Sequence, residues 1–154
     1  MKTSRYFFAA LLAIMTLGAV TTAVSATPPS GQNPSGLAVG RLDGPLEINI
    51  DRIKFQTKGD TDIAMFTVTY DPGGFSGWHK HPGILFVVVK AGVVTRTLDC
   101  MSRTYHVGDS FVESDKQPSG EVRNASATDP AVLSVTQVVP HDSPRRTDTN
   151  PPTC

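Results

Sequence analysis

The sequence predicts an all-β domain, a barrel or sandwich of short strands, on three observations. Thirteen Gly and twelve Pro among 154 residues scatter turn-formers along the whole chain. Between them, apolar or alternating runs recur at a spacing of about 8–12 residues. Outside the N-terminal apolar segment, no stretch shows capped helical periodicity. A mass of 16.5 kDa holds one domain. Fourteen basic residues balance fourteen acidic ones, so no basic face is expected for nucleic acid. With 18% of residues charged, wholesale disorder is not expected either.

Taken from the N-terminus, Lys2 and Arg5 precede an apolar run from Tyr6 to Val20, followed by the small residues Val24-Ser25-Ala26. This is the layout of a secretory signal peptide over residues 1–26, and the apolar run is shorter than the ~20 residues a membrane span needs. Cleavage there leaves 128 residues with 12 basic and 14 acidic side chains, an exported protein of net charge −2 without a transmembrane segment. Residues 27–36, rich in Pro, Gly and polar side chains, read as a flexible leader. The barrel is expected over 37–139. Leu46, Ile48 and Ile50 alternate with polar residues, giving a strand with one wet face. Ile63 to Tyr70 is β-branched and aromatic, and Asp71-Pro72-Gly73-Gly74 is expected to break it. Ile84 to Val89 is apolar throughout, as in a strand covered on both faces. Strands then follow at 93–98, 104–107, 110–113, 119–124 and 131–139.

Residues 140–154 form a tail with almost nothing apolar to bury. In an oxidising compartment, an even cysteine count favours a disulfide between Cys100 and Cys154 that ties this tail down. Free thiols or an intermolecular bridge are the alternatives.

The chemistry-bearing stretch is Gly74-Phe75-Ser76-Gly77-Trp78-His79-Lys80-His81. In an extended strand, residues two apart share a face, so His79 and His81 point together while Lys80 points away. Two such imidazoles suit a divalent metal if a further donor joins them. Otherwise they satisfy one another's surroundings in a polar lumen.

From Gly73 or Gly74 through His79, His81 and Gly92, and again from Gly108-Asp109 to Asn124, the chain resembles the cupin family, and small secreted bacterial cupins in particular. The resemblance spans about residues 60–139 and implies a single cupin-type barrel, the double-stranded β-helix or jelly roll. It implies four metal ligands, of which only His79 and His81 are present. Leu85 occupies the position of the family's Glu, and Gly120 that of its second-motif His; neither carries a donor. Glu121 is adjacent to the latter but alternation turns it to the other face, and Glu113 and His106 lie off the motif positions.

The expectation is therefore a degenerate site with no metal or a weakly bound Zn, Fe or Mn ion. On that reading the protein is non-catalytic and holds a small-molecule ligand near His79 and His81. A metal-dependent oxygenase, isomerase or lyase is the rival that the resemblance implies, and a purely structural extracellular domain is the third reading. Family members often pair through edge strands, which makes a homodimer an expectation without a marked interface. Asn124-Ala125-Ser126 fits a glycosylation acceptor, yet a turn role is expected for Asn124. Trp78 is expected to pack at a barrel end or on a partner subunit, and Arg145-Arg146 to be solvated.

Overall fold

The computed structural model describes residues 26–154; the segment read as a signal peptide lies, apart from Ala26, outside the described residues. Twelve strands run in order: β1 (Ser30–Leu42), β2 (Leu46–Ile50), β3 (Ile53–Thr57), β4 (Thr61–Phe75), β5 (His79–Lys80), β6 (Ile84–Ala91), β7 (Val94–Leu98), β8 (Met101–Tyr105), β9 (Ser110–Ser114), β10 (Gly120–Asn124), β11 (Ala131–Pro140) and β12 (Thr147–Asp148). Among the described residues there is no helix, and hence none long and apolar enough to cross a membrane.

All pairings are antiparallel. One layer runs β1-β4-β11-β6-β9 and the other β12-β5-β10-β7-β8, with the Phe75–Arg123 pairing of β4 and β10 joining them. A hairpin, β2-β3, stands apart. Alternation decides what fills the space between the layers. On β11, Ala131, Leu133, Val135, Gln137 and Val139 point inward; Leu85, Val87 and Val89 do so on β6, and Phe111 and Glu113 on β9. Val94, Tyr105 and Val122 answer them from the second layer. Phe111 on β9 and Tyr105 on β8 meet with ring centroids 4.8 Å apart and close the far edge.

Four local expectations need correction. Residues 30–36, read as a flexible leader, form the first half of β1 and pair with β4. Backbone hydrogen bonds to a long neighbouring strand order this polar segment where its side chains alone would not. Strand β4 does not stop at Asp71-Pro72-Gly73-Gly74: Ser30 pairs with Phe75 and Gln32 with Tyr70, so residues 71–74 bulge and the ladder resumes. Strand β6 is covered on one face only, since Ile84, Phe86 and Val88 alternate outward and are exposed. The hairpin is likewise more solvated than its alternation suggests, with Ile50 and Ile53 both exposed.

Asn124 takes the turn role. Its buried amide donates to the carbonyls of Tyr70, Asp71 and Asp129, and its Oδ1 accepts from the Ser126 amide at 2.9 Å. Those bonds anchor the β4 bulge to the turn after β10. Asn124→Ala is expected to cost about 2–3 kcal/mol, because the buried partners lose their bonds together. Urea unfolding should show a lower midpoint at unchanged slope.

Candidate metal centre

The Cys100–Cys154 disulfide forms, spanning 54 residues. The tail is held by more than this bond: β12 pairs with β5, and the Thr149 amide donates to the Trp78 carbonyl at 3.0 Å. Arg146 is not simply solvated either. Its Nη2 donates to the Ser76 carbonyl at 2.7 Å, and its Nε to Asp148 at 2.5 Å.

His79 opens into the barrel from β5, opposite Gly120 on β10, and His81 follows just beyond that strand. Their rings meet edge to face with centroids 4.7 Å apart. Both are buried. His79 Nδ1–H donates to the Gly77 carbonyl at 2.8 Å, and His81 Nδ1–H to the Arg145 carbonyl at 2.6 Å. Since a carbonyl only accepts, each Nδ1 must carry a proton, which in a neutral ring leaves the lone pair at Nε2. Gly77 supplies its carbonyl from a left-handed turn at φ 66°, a conformation that suits glycine.

The third group is Glu113. Register places it directly opposite Leu85 across the β6–β9 ladder, and Gln137 on β11 faces Leu85 from the other side. The donor missing at Leu85 is thus supplied by the next strand. Glu113 Oε2 lies 3.3 Å from His81 Nε2 and 3.9 Å from His79 Nε2, and one donor atom of each residue falls within 4.8 Å of the others. The expectation of a two-donor site is corrected here: a carboxylate reaches both rings. The pattern of β9 carried the signal, because an inward Phe111 requires Glu113, two residues on, to point inward too.

Arg96 joins the site without any motif to mark it in the sequence. It is buried on β7, alternating inward after Val94, with Nε 3.1 Å from Glu113 Oε1, Nη2 2.9 Å from Gln117 Oε1, and its guanidinium 5.0 Å from the Phe111 ring centroid. Glu113 therefore offers one oxygen to Arg96 and the other to the imidazoles. Glu121 takes no part and pairs with Arg123 at 2.9 Å. His106 is exposed on the β8–β9 turn beside Asp109. Gly120 offers no donor where the second-motif His would stand.

Burial and neighbouring charge set the protonation of His79 and Glu113. Burial depresses His79 to about 4; the Arg146 charge reinforces the depression and the Glu113 charge opposes it. Burial alone would raise the Glu113 carboxyl, but a hydrogen bond with His81, the positive charge of His79 and His81 when those rings are protonated, and the Arg96 guanidinium outweigh it, so the group titrates below its ordinary range. At neutral pH the site holds a neutral His79 and a carboxylate.

The donors fit a divalent cation on one further observation: His81 Nε2 is buried and has no hydrogen-bond partner. In the neutral tautomer, a lone pair facing a carboxylate oxygen across 3.3 Å is unfavourable until a proton or a metal cation stands between them. Two imidazoles fixed by backbone carbonyls, with a carboxylate fixed by Arg96, form a donor set with built outer support. Above the cluster lies a cavity of about 500 Å³, within the range of ligand sites. Its walls include Val68, Leu85, Phe111, Leu133 and Val135, while Gln32, Arg145 and Arg146 also line it.

Fold and site together define a β-barrel with a buried two-histidine, one-carboxylate cluster at the base of an apolar cavity. The Cupin domain family model matches residues 66–136, and the chain belongs to the cupin superfamily. Among solved structures, it is similar to the DMSP lyase DddQ from Ruegeria pomeroyi, with 17% identity, a TM-score of 0.50, and 60% of this chain covering 45% of that one. It is also similar to an uncharacterised double-stranded β-helix protein from Klebsiella pneumoniae, with 16% identity, a TM-score of 0.49, and 70% of this chain covering 85% of the other. A cupin-like protein from Thermotoga maritima is 17% identical at a TM-score of 0.49, with 61% and 79% covered. At such identities the likeness concerns the fold alone. No curated protein matches the sequence.

Proposed function

We propose that this protein is an exported, metal-dependent cupin that binds one divalent ion at His79, His81 and Glu113 and acts on a small organic molecule held in the cavity above it. The carrying observation is the unpartnered Nε2 of buried His81 facing a carboxylate oxygen. The reading departs from a degenerate barrel because the third donor comes from β9, off the family's motif position. The disulfide is consistent with an extracellular location.

His79, His81 and Glu113 would hold a divalent ion, which would supply Lewis-acid polarisation of a ligand oxygen. The chain's own groups do the rest. Leu133, Val135, Val68 and Phe111 shed water around an apolar body. Tyr70, whose buried phenol is raised well above its ordinary value chiefly by desolvation, stays protonated and accepts from Gln32 Nε2 at 2.8 Å. The Arg146 cation lowers the cost of placing negative charge near Tyr70 and His79. These features suit a ligand with an apolar body and a carboxylate or hydroxyl oxygen at one end.

Cobalt(II) titration of the metal-free protein tests the reading. One equivalent should bind, with a visible spectrum that changes when a small aromatic or aliphatic carboxylate is added. His81→Ala should lose at least tenfold in affinity. Absence of saturable binding would remove the metal, and the proposed function with it.

A further inference from the structure

The tail contributes a group to the centre that no barrel strand supplies. The Arg145 carbonyl accepts from His81 Nδ1–H and also from Gln137 Nε2, both at 2.6 Å. Gln137 is fully buried. One backbone oxygen thus fixes the tautomer and orientation of a candidate ligand and is itself oriented by a core side chain. We propose that residues 141–154 form a strap that positions His81 through the Arg145 carbonyl, and that the Cys100–Cys154 disulfide clasps this strap so that its redox state sets metal affinity. The inference rests on the metal reading above.

The energetics make the clasp decisive. Beyond Arg145 the strap is secured by the two-residue pairing of β12 with β5, the Thr149 bond to Trp78, and the Arg146 contact with Ser76. Each such bond contributes little net stability, and the segment buries almost no apolar side chain to add to them. The disulfide removes the open, detached strap from the accessible ensemble. Both cysteines are exposed, so a reductant reaches them. A dithiol delivers two electrons and two protons to the S–S bond, leaving thiols at Cys100 and Cys154 and the reductant as its own cyclic disulfide. Once released, the strap draws the Arg145 carbonyl away. His81 then no longer holds its proton at Nδ1, and the Nε2 lone pair is no longer committed to the ion. Loss of an outer-shell partner of a ligating histidine weakens metal binding by about 10–100-fold.

Manganese(II) titration calorimetry on the oxidised protein and on the thiol-free Cys100→Ser/Cys154→Ser variant reads this directly. A dissociation constant weaker by about 10–100-fold in the variant is expected; equality within about twofold overturns the strap. Loss of the clasp also lowers overall stability, so a second measurement separates the two effects. Reciprocal linkage requires saturating manganese to disfavour reduction of the wild-type disulfide by the same factor, moving its midpoint in a dithiol redox buffer about 30–60 mV lower. An unmoved midpoint overturns the strap even if the variant fails to fold. In the metal-free protein, ¹⁵N spectra should show His81 protonated at Nδ1 when oxidised, and that signature should disappear on reduction and return on reoxidation. No manganese binding by the oxidised wild type would defeat the metal reading itself. Binding that is indifferent to redox state would defeat only the strap.

Discussion

Glu113→Ala is expected to destabilise the metal-free barrel by about 3–5 kcal/mol and to abolish divalent metal binding. The stability loss follows from Arg96, whose buried guanidinium keeps only the Gln117 bond once the carboxylate is gone. A buried cation stripped of its partner costs far more than the pair contributed, since desolvation had already offset most of the Coulomb attraction. Two further variants separate this cost from the metal effect. Glu113→Gln keeps the shape and can still accept from Arg96, so its stability loss should be about 1–3 kcal/mol, while metal binding falls with the missing charge. The double variant Arg96→Leu/Glu113→Leu removes both charges and should recover most of the stability lost in Glu113→Ala, without recovering the metal. Denaturant unfolding and manganese calorimetry on the three variants check these outcomes. If Glu113→Ala is as stable as wild type, the buried pair is not holding this end of the barrel.

The metal-free protein should lose about 3 kcal/mol of stability as pH falls from 7 to 4. His79 titrates near 4 when folded, against an ordinary 6.5, because burial disfavours its charged form. A folded value below the unfolded one means that the unfolded chain takes up the proton first. The stability tied to neutral His79 is therefore complete above pH 6.5 and drains as pH approaches 4. The lowered Glu113 carboxyl acts in the same sense at the acid end, its contribution being lost as it protonates. Urea midpoints at pH 7 and pH 4 measure the total, and His79→Gln should lose the part that begins near neutrality. A wild-type stability that is level from pH 7 to 4 would contradict a desolvated imidazole.

Alternation made most strands legible in the sequence, and the His79/His81 pair could be read directly because residues two apart on an extended strand share a face. What stayed hidden depends on register between strands distant in sequence. The Leu85–Glu113 pairing is set by how β6 meets β9, and no local pattern states it. Motif spacing therefore reported an absent carboxylate that the fold supplies from the neighbouring strand. Inward Phe111 did point to Glu113, and inward Val94 to Arg96, but only to a reading that weighed faces above motif positions. Strand β1 was hidden for a different reason. Its residues are polar or small, and its order comes from backbone pairing along β4, to which side-chain patterns are blind. The solvated outer face of β6 shows the converse limit, since a uniformly apolar run does not say which of its faces the chain covers.

Anomalous X-ray diffraction from crystals grown with manganese would test the metal centre most directly. One strong peak bonded to His79 Nε2, His81 Nε2 and Glu113 Oε2, absent from Glu113→Gln crystals, is the predicted result. A saturated crystal whose only peaks lie elsewhere, with the Arg96-paired carboxylate holding nothing but water, would contradict the account.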